Sequence, residues 1–374
     1  MPQISELKLN SRLGESHLVL LMPLLIISNT VSGSGEGKAI INEHVIPLLS
    51  SKGVTFDELH ETTSPTSAGL AACKFIRTHK SNVSLIISGG DGTVHDVINE
   101  LAKSDVRHLA VRVSIALVPS GTANALYASL YPPESNISSE IPIEYKLQSV
   151  RSLLTNGSQR RLVIARTSIW EEKSGETGPT NIYSIVVAST SLHATILKDS
   201  EALRETIKDM SRFRVAAERN IDRWYDARAS LLPTAGGLLQ RYDCSEGKFD
   251  NVSEDARHLD GPFVYFLSTV NVDRLEPAFN ITPLNRDLTE DSMDIIVVRP
   301  GRCRQLTGSN EEQRKAFAPR LIQILQAAYQ KGAHISLKYT EDGSLHNDGD
   351  GESAVEYFRC GGWEWIPVRL FSYK

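Results

Sequence analysis

The residues that most clearly could do chemistry lie at positions 89–93, which read GGDGT. The apolar run at 85–87 predicts a buried strand before them, and the apolar spacing over 94–101 predicts a helix after them. A glycine-rich turn between a strand and a helix suits an anion, because bare amides approach it and the helix dipole favours negative charge. Asp91 at its centre would repel a phosphate unless it holds a metal ion or takes a proton from a nucleophile.

Two further glycine-containing turns follow predicted strands in the same half of the chain, at 29–37 (NTVSGSGEG) and 119–124 (PSGTAN). The first is not a Walker motif, because Ala39 follows Lys38 and Ser32 stands in place of its first glycine. It is not a dinucleotide fingerprint either, because Lys38 occupies the position of the third glycine. Three such turns after three strands would line one edge of one sheet.

The elements that must position these turns alternate between strand and helix over the first ~130 residues, which predicts a parallel sheet covered by helices. Residues 132–142 have the composition of a loop, and strand-like runs dominate after them. We therefore predict an α/β nucleotide-binding domain at 1–142 and a β-rich, sandwich-like domain at 143–374. Within the second domain we predict long helices at 200–229 and 311–332.

Composition limits the classes of protein that are compatible with the chain. It has 374 residues, 41% of them hydrophobic, and a net charge of −5, so its overall charge does not favour nucleic acid and any attraction to anionic lipid must be local. The four cysteines lie far apart and lack the spacing of a metal site, which favours a reducing, cytoplasmic compartment. The apolar run at 18–27 is too short to span a bilayer and predicts a buried first strand.

The three turns, in this order, resemble the nucleotide-binding segments of the diacylglycerol kinase catalytic-domain superfamily, which includes sphingosine and ceramide kinases. The second turn is an intact match, and the third fits the Pro-x-Gly-Thr-x-Asn pattern. The first has Asn29-Thr30 where the family usually has Asn-Pro. The similarity extends over most of the chain, and the resemblance implies a kinase that uses ATP and Mg²⁺ and acts on a lipid at a membrane surface.

The resemblance implies a nucleotide-binding role for a group of small and polar residues. These are Asn29, Ser32, Gly33, Thr62, Gly89, Gly90, Gly92, Thr93, Gly121, Thr122 and Asn124. Asp91 matches the acid that acts as the base in sphingosine kinases; the alternative is a helix N-cap, which aspartate also favours. A base in this position typically contributes about 10²–10⁴-fold to the rate.

Three residues of the second half complete the implied nucleotide site. Arg204 and Arg212 fall where the family places arginines that reach the phosphates, although the match of Arg212 needs an insertion; the alternative for both is solvated helix charge. Glu352, in an Asp-Gly-Glu run before the VRLF segment at 368–371, matches the family's late acid at the nucleotide and metal site. Glu352 and Asp91 are therefore the candidate Mg²⁺ ligands. The alternative for Glu352 is a solvated acidic loop.

The residues expected to bind the phosphoryl acceptor differ from those of the family. Thr195 stands where sphingosine and ceramide kinases carry an acid that contacts the polar head of the acceptor, and His193 lies nearby in a predicted strand-to-helix link. Both are candidate substrate-binding residues. The leading hypothesis is a peripheral, cytoplasmic lipid kinase for a diacylglycerol- or sphingoid-type lipid. The alternatives are a nucleotide- or lipid-binding pseudokinase and an NAD-kinase-like enzyme with a soluble substrate.

Overall fold

The structure is a computed structural model that describes residues 22–133, 141–170, 178–207, 209, 211–285 and 291–368. Its first part contains a sheet of four parallel strands in the order β2-β1-β3-β4. The strands are β1 (Leu24–Ser28), β2 (Glu58–Glu61), β3 (Val83–Gly89) and β4 (Val113–Pro119). Every residue of β1 and β3 is buried, as expected for central strands of a parallel sheet that is covered on both faces.

Helices cover both faces of this sheet. They are α1 (Gly37–Ile40), α2 (Ile46–Ser51), α3 (Ser67–His79), α4 (Asp91–Lys103), α5 (Ala125–Leu130), α6 (Ile143–Lys146) and α7 (Gln148–Leu154), with a π-helical turn at Ile41–Val45 between α1 and α2. Alternate residues of β1 enter opposite cores: Leu25 packs with α3, α4 and α5, and Leu24 packs with α1, α2 and α7. The predicted α/β alternation is confirmed.

The second part is built mainly of antiparallel strands. A pair, β5 (Ala165–Ile169) and β6 (Thr180–Ser184), precedes a six-stranded sheet in the order β10-β9-β16-β13-β12-β7 and a three-stranded sheet in the order β11-β8-β17. The strands are β7 (Val187–Thr190), β8 (Ala227–Leu232), β9 (Gln240–Asp243), β10 (Lys248–Asn251), β11 (His258–Asp260), β12 (Tyr265–Thr269), β13 (Met293–Val298), β14 (Lys338–Tyr339), β15 (Leu345–His346), β16 (Glu356–Cys360) and β17 (Gly362–Pro367).

The two larger sheets pack face to face around a common apolar core. Phe266 and Phe358 of the six-stranded sheet meet Leu231 of the three-stranded sheet, and the rings of Trp363 and Trp365 cover Phe266. This packing confirms the sandwich-like second part. On the opposite face of the six-stranded sheet the core continues into the first part of the chain.

Three helices accompany these sheets: α8 (Ser191–Ala202), α9 (Ser211–Asn220) and α10 (Asn310–Ala328). The last confirms the predicted helix, and Ser309 and Glu312 form a capping box at its start. The helix predicted at 200–229 is wrong, because α8 begins nine residues earlier and the chain is already in β8 at Ala227. Ala227, Ala229 and Leu231 alternate inward there, so the pattern follows strand periodicity.

The predicted domain boundary at residue 142 does not coincide with a break in the packing of the chain. The helices α6 and α7 follow residue 142 but cover the first sheet, where Val150 joins the core beneath β4. The division at residue 142 stays a prediction. The VRLF segment extends past Val368 into residues that lie outside the described part of the chain. Within the described residues, no helix is long and apolar enough to cross a membrane.

Candidate functional site

The carboxyl ends of the four parallel strands carry the predicted site residues. The backbone hydrogen bonds of the sheet continue one residue past the ends of β1, β2 and β4. The amide of Asn29 donates to Ser88 O (2.9 Å), the amide of Thr62 donates to Ser28 O (2.9 Å), and the amide of Ser120 donates to Gly89 O (3.2 Å). All three glycine turns and the residue after β2 therefore leave the sheet at the same edge. This edge is where α/β proteins of this topology bind their ligands.

The backbones of the three turns touch one another, which is possible only with glycine. A Cβ atom on Gly121 would lie 2.2 Å from Gly90 Cα, and one on Gly33 would lie 2.4 Å from Ser120 O. Gly33 also has a φ of +57°, in the left-handed region. Gly92, in contrast, is exposed and has no other atom within 4 Å of its Cβ position, so close packing does not require a glycine there.

Side-chain hydrogen bonds also connect and stabilise the turns. The Asn29 amide nitrogen donates to Thr93 Oγ1 (2.8 Å), joining the first turn to the second. The Asn124 side chain accepts from the Gly121 amide (3.0 Å) and donates to the Gly121 carbonyl (2.9 Å), fixing the third turn. The Ser32 hydroxyl lies 3.7 Å from the Cβ position of Gly90. The three predicted segments thus form one continuous polar edge, with Thr122 beside Gly121.

Asp91 occupies the centre of this edge, in the first turn of α4. Its N-cap is Gly90, so Asp91 does not cap its own helix. Its carboxylate reaches instead to the start of α5, where Oδ2 accepts from the Ala125 amide (2.7 Å) and Oδ1 from the Leu126 amide (2.9 Å). Asp91 therefore joins the second turn to the third.

The environment of Asp91 changes its proton affinity. Burial raises the pKa of the Asp91 carboxyl above its ordinary value, and the hydrogen bonds from Leu126 and Ala125 partly offset that rise. Each carboxylate oxygen keeps a lone pair in addition to the one that accepts an amide. A fixed carboxylate with a raised pKa, beside anion-binding amides, is suited to accept a proton from a bound hydroxyl.

Asn99 is a site-positioning residue that the sequence reading missed. It lies on α4 eight residues after Asp91, and its side chain pairs with the main chain of Tyr183 in β6. Nδ2 donates to Tyr183 O (2.7 Å), and Oδ1 accepts from the Tyr183 amide (3.0 Å). The signal was available, because a buried asparagine beside Ile98 on the apolar side of a helix needs a polar partner.

The two predicted acceptor residues lie together at the junction of β7 and α8. Thr195 Oγ1 pairs with the hydroxyl of Tyr225 (2.7 Å), and His193 Nδ1 pairs with the hydroxyl of Ser189 (2.7 Å). Burial lowers the pKa of His193 to about 4, so this imidazole is neutral near pH 7. Ser191, which starts α8, has a φ of +62°, a conformation that is costly for a residue other than glycine.

The two predicted phosphate-binding arginines have different environments. Arg204 is exposed and forms an ion pair with Glu201 one helical turn earlier (3.0 Å), a geometry typical of solvated helix charge. The guanidinium of Arg212 is buried, lies over the Phe213 ring at 4.6 Å and donates to Asp209 O (2.9 Å). Their nucleotide contacts stay predictions.

Glu352 lies among arginines of the second part. Its Oε1 accepts from Arg304 Nη2 (2.7 Å) and its Oε2 lies 3.2 Å from Arg302 Nη2. The hydrogen bond from Arg304 is the main cause that lowers the pKa of Glu352. Among the contacts of the described residues, none joins Glu352 to a glycine turn, and its nucleotide role also stays a prediction.

The described residues do not build a metal site of their own. Within them, no group of three or more histidine, cysteine, aspartate or glutamate side chains could hold a metal ion. Both candidate ligands are also engaged, Asp91 by two amides and Glu352 by two guanidinium groups. The donor set therefore does not fit a protein-held Mg²⁺; such an ion would be held chiefly by the phosphates of a nucleotide.

The curated proteins that the chain matches include sphingosine kinases and an acylglycerol kinase. Sphingosine kinase 1 of Arabidopsis thaliana is 26% identical over 264 residues, which are 68% of this chain and 50% of that protein. Sphingosine kinase 1 of Rattus norvegicus is 30% identical over 107 residues, 29% of this chain and 27% of that protein. Mitochondrial acylglycerol kinase of Xenopus laevis is 26% identical over 111 residues, which are 30% of this chain and 25% of that protein. The chain thus spans half of these relatives or less.

A solved structure and a family model complete the comparison. A Bacillus anthracis protein described as a diacylglycerol kinase superimposes with a TM-score of 0.50 over 93% of this chain and 86% of that one, at 16% identity, which shows a shared fold. Residues 23–156, which contain all three glycine turns, match the family model of the diacylglycerol kinase catalytic domain. The chain therefore contains a segment, residues 23–156, that is similar to the diacylglycerol kinase catalytic domain, and its curated relatives include sphingosine and acylglycerol kinases.

Proposed function

We propose that this protein is an ATP-dependent lipid kinase that transfers the γ-phosphoryl group of ATP to a hydroxyl of a diacylglycerol- or sphingoid-type lipid. The observation that carries the proposal is the closed edge of the first sheet, where three glycine turns meet around Asp91. Similarity to the diacylglycerol kinase catalytic domain and to sphingosine and acylglycerol kinases supports the reaction class. Residue geometry supports the assignment of the chemistry to this edge.

The nucleotide lies against the turns in this proposal. Amides of the second turn and the Thr93 hydroxyl cradle the phosphates, Gly121 with Thr122 and Asn124 forms the opposite wall, and the first turn with Thr62 closes the cleft. Backbone amides suit this task because they are fixed before the ligand arrives. Arg204 and Arg212 are kept as predicted further contacts, whereas Glu352, which Arg302 and Arg304 already hold, is given no part in nucleotide binding here.

Asp91 acts as the general base. The acceptor hydroxyl gives its proton to a carboxylate oxygen of Asp91 while the hydroxyl oxygen forms a bond to the γ-phosphorus. The bond between that phosphorus and the bridging oxygen breaks, and ADP leaves. The amides of Ala125 and Leu126 hold the carboxylate in place, so positioning supplies much of the rate. Mg²⁺ is proposed as the ion that accompanies ATP and offsets its charge.

The acceptor is proposed to bind beside the β7–α8 junction. Thr195 and Tyr225 present a pair of uncharged hydroxyl groups, and His193 is neutral. Such a surface suits the hydroxyls of a neutral lipid better than a cationic amine, which would favour a carboxylate. The enzyme would meet its substrate by transient contact with a membrane surface from the cytoplasmic compartment.

The test is transfer of labelled γ-phosphate to a panel of acceptors in mixed micelles. We expect label in diacylglycerol, monoacylglycerol or ceramide, with less in sphingosine, and none in NAD. Metal-dependent ATP binding without lipid-dependent transfer would replace the proposal with a pseudokinase. Label in NAD alone would replace it with a soluble-substrate kinase.

A further inference from the structure

A cavity of about 720 Å³ lies in the second part of the chain, and its lining includes Glu352, the late acid of the sequence prediction. Residues of β9, β10, β11 and β16 line it, together with Arg302 and Lys338. Val252, Leu259 and Phe358 give it an apolar wall that continues into the core between the two sheets. None of the described residues that line it belongs to the glycine turns.

The carboxylates of this cavity already have partners. Glu356 accepts from Arg299 Nε (2.7 Å) and Nη2 (2.8 Å), and Glu352 is held by Arg302 and by Arg304, which lies just outside the lining. Asp243 accepts the amides of its own turn, from Ser245 (2.7 Å) and Glu246 (3.3 Å), and Asp250 lies 3.7 Å from Lys248 Nζ. Each of these four carboxylates therefore has a hydrogen-bond or ion-pair partner.

Arg241 is the exception among the charged groups. It is half-buried in β9, and its side chain forms no hydrogen bond or ion pair with any residue in the described ranges. Strand register places Asp250 and Phe358 beside it, but Asp250 pairs with Lys248. The charge of Arg241 acts at longer range on Glu352, whose pKa it helps to lower, but its N–H donors have no acceptor among the described residues, and a bound phosphate would supply one.

Three further cations, Arg299, Arg302 and Lys338, line the cavity together with the carboxylates of Asp243, Asp250, Glu352 and Glu356. Burial is the main cause that lowers the pKa of Arg302; the charges of Glu356 and Glu352 oppose this fall, and the like charges of Arg241 and Arg299 add to it. Lys338 adds an ammonium group, which donates to the Ser245 hydroxyl (2.7 Å). An anion among these groups would relieve the repulsion and satisfy the unused donors of Arg241. The planar guanidinium fork matches the paired oxygens of a phosphate.

We propose that this cavity is a second anion site, separate from the nucleotide cleft, that binds a phosphomonoester through Arg241 with support from Lys338 and Arg302. The apolar wall leaves room for the body of the ligand, whether a small soluble molecule or the glycerol region of a phosphatidic acid. This site does not depend on the proposed kinase reaction.

The test measures affinity for inorganic phosphate and glycerol 3-phosphate by calorimetry, and for phosphatidylcholine vesicles with and without phosphatidic acid by sedimentation. The variants are Arg241→Ala and, as a matched control, Arg228→Ala, an exposed arginine of β8 that pairs with Asp260 (3.4 Å). We expect Arg241→Ala to weaken phosphate binding by at least about tenfold, the value of a charged hydrogen bond. Arg228→Ala should leave phosphate binding unchanged, and Arg241→Ala should leave the affinity for ATP unchanged.

The glycine turns could also take phosphate, so Gly121→Val is measured in parallel. Phosphate binding that survives Gly121→Val and is lost in Arg241→Ala supports the second site. Binding to both soluble anions identifies a free phosphomonoester, and binding only to phosphatidic acid vesicles identifies a lipid headgroup. Arg241→Lys keeps the charge without the fork and should recover part of the affinity, which separates lost recognition from lost folding.

Equal affinity in wild type and Arg241→Ala, or no binding of any probe, overturns the proposal. Loss of ATP affinity in a folded Arg241→Ala variant also overturns it, because the cavity would then belong to the nucleotide site.

Discussion

The glycine-turn edge and the arginine cavity both suit phosphate, but they use different groups to do so. The edge offers backbone amides and hydroxyls around a single acid, Asp91, whose pKa burial raises. The cavity offers guanidinium groups around Glu352, whose pKa those groups lower. The first arrangement favours an acid that exchanges a proton during a reaction, and the second favours an acid that remains charged. Chemistry is therefore expected at the edge and binding at the cavity.

The largest expected effect is that of Asp91→Asn. An amide cannot take the proton of the acceptor, and its NH₂ group would face one of the two amides at the start of α5. We expect turnover to fall by about 10²–10⁴-fold and ATP affinity to fall much less. Single-turnover transfer and ATP calorimetry on the same preparation measure the two effects.

The pH profile of the parent enzyme adds to this prediction. Because burial raises the pKa of Asp91, the base becomes protonated at a higher pH than an ordinary aspartate. The acidic limb of activity should therefore lie above the ordinary aspartate value near 3.8. If the Asp91→Asn variant keeps wild-type turnover, Asp91 is not the base and serves only to hold the start of α5.

Gly121→Val tests whether the edge must stay closed. A Cβ at this position would lie 2.2 Å from Gly90 Cα and 2.7 Å from Gly90 N, so the second and third turns would have to separate. We expect ATP affinity to fall by at least about 100-fold, because several amides lose their positions together. Gly178→Val is the control, since its Cβ position has no other atom within 4 Å. Unchanged ATP affinity in a folded Gly121→Val variant would contradict a nucleotide site here.

Asn99→Ala tests how the edge is held against the second part. The change removes both hydrogen bonds to the Tyr183 main chain and leaves those groups without their partner. We expect the free energy of unfolding to fall by about 1–3 kcal/mol, measured by chemical denaturation. Asn42→Ala, at an exposed helical position, is the control and should change it little. Equal stability of the two variants would mean that α4 and β6 are held by apolar packing alone.

Glu352→Gln has the smallest expected effect and separates two roles for that acid. Its carboxylate is already shared by Arg302 and Arg304, so we expect turnover to change by less than about threefold. Phosphate affinity in the cavity should rise instead, because one negative charge is removed. Asp348→Asn is the control in the same loop. A turnover loss of about 100-fold or more, with a higher Mg²⁺ requirement, would restore Glu352 to the nucleotide and metal site.

The two regions also differ in how far the sequence predicts them. Short apolar runs that are followed by glycine-containing turns define β1, β3 and β4 locally, so the order of the turns and their common edge follow from the sequence. The contacts of Asp91 with Ala125 and Leu126 do not, because they depend on how α5 packs beside α4.

The second part depends more on long-range pairing. Residues 227–232 continue a helix-like composition, yet they form β8 because β11 and β17 pair with them on both sides. The cavity around Arg241 brings together segments more than 100 residues apart in sequence. No local pattern marks such a site, and only the folded chain shows that the N–H donors of Arg241 have no acceptor among the described residues.

Amide hydrogen exchange with and without ATP tests the central claim most directly, because it reports both regions in one experiment. We predict that ATP slows exchange at residues 29–37, 89–93 and 119–126 and leaves residues 240–259 and 299–304 unchanged. Slowed exchange confined to the arginine cavity, with the three glycine turns unaffected, would contradict the assignment of nucleotide binding to the edge of the parallel sheet.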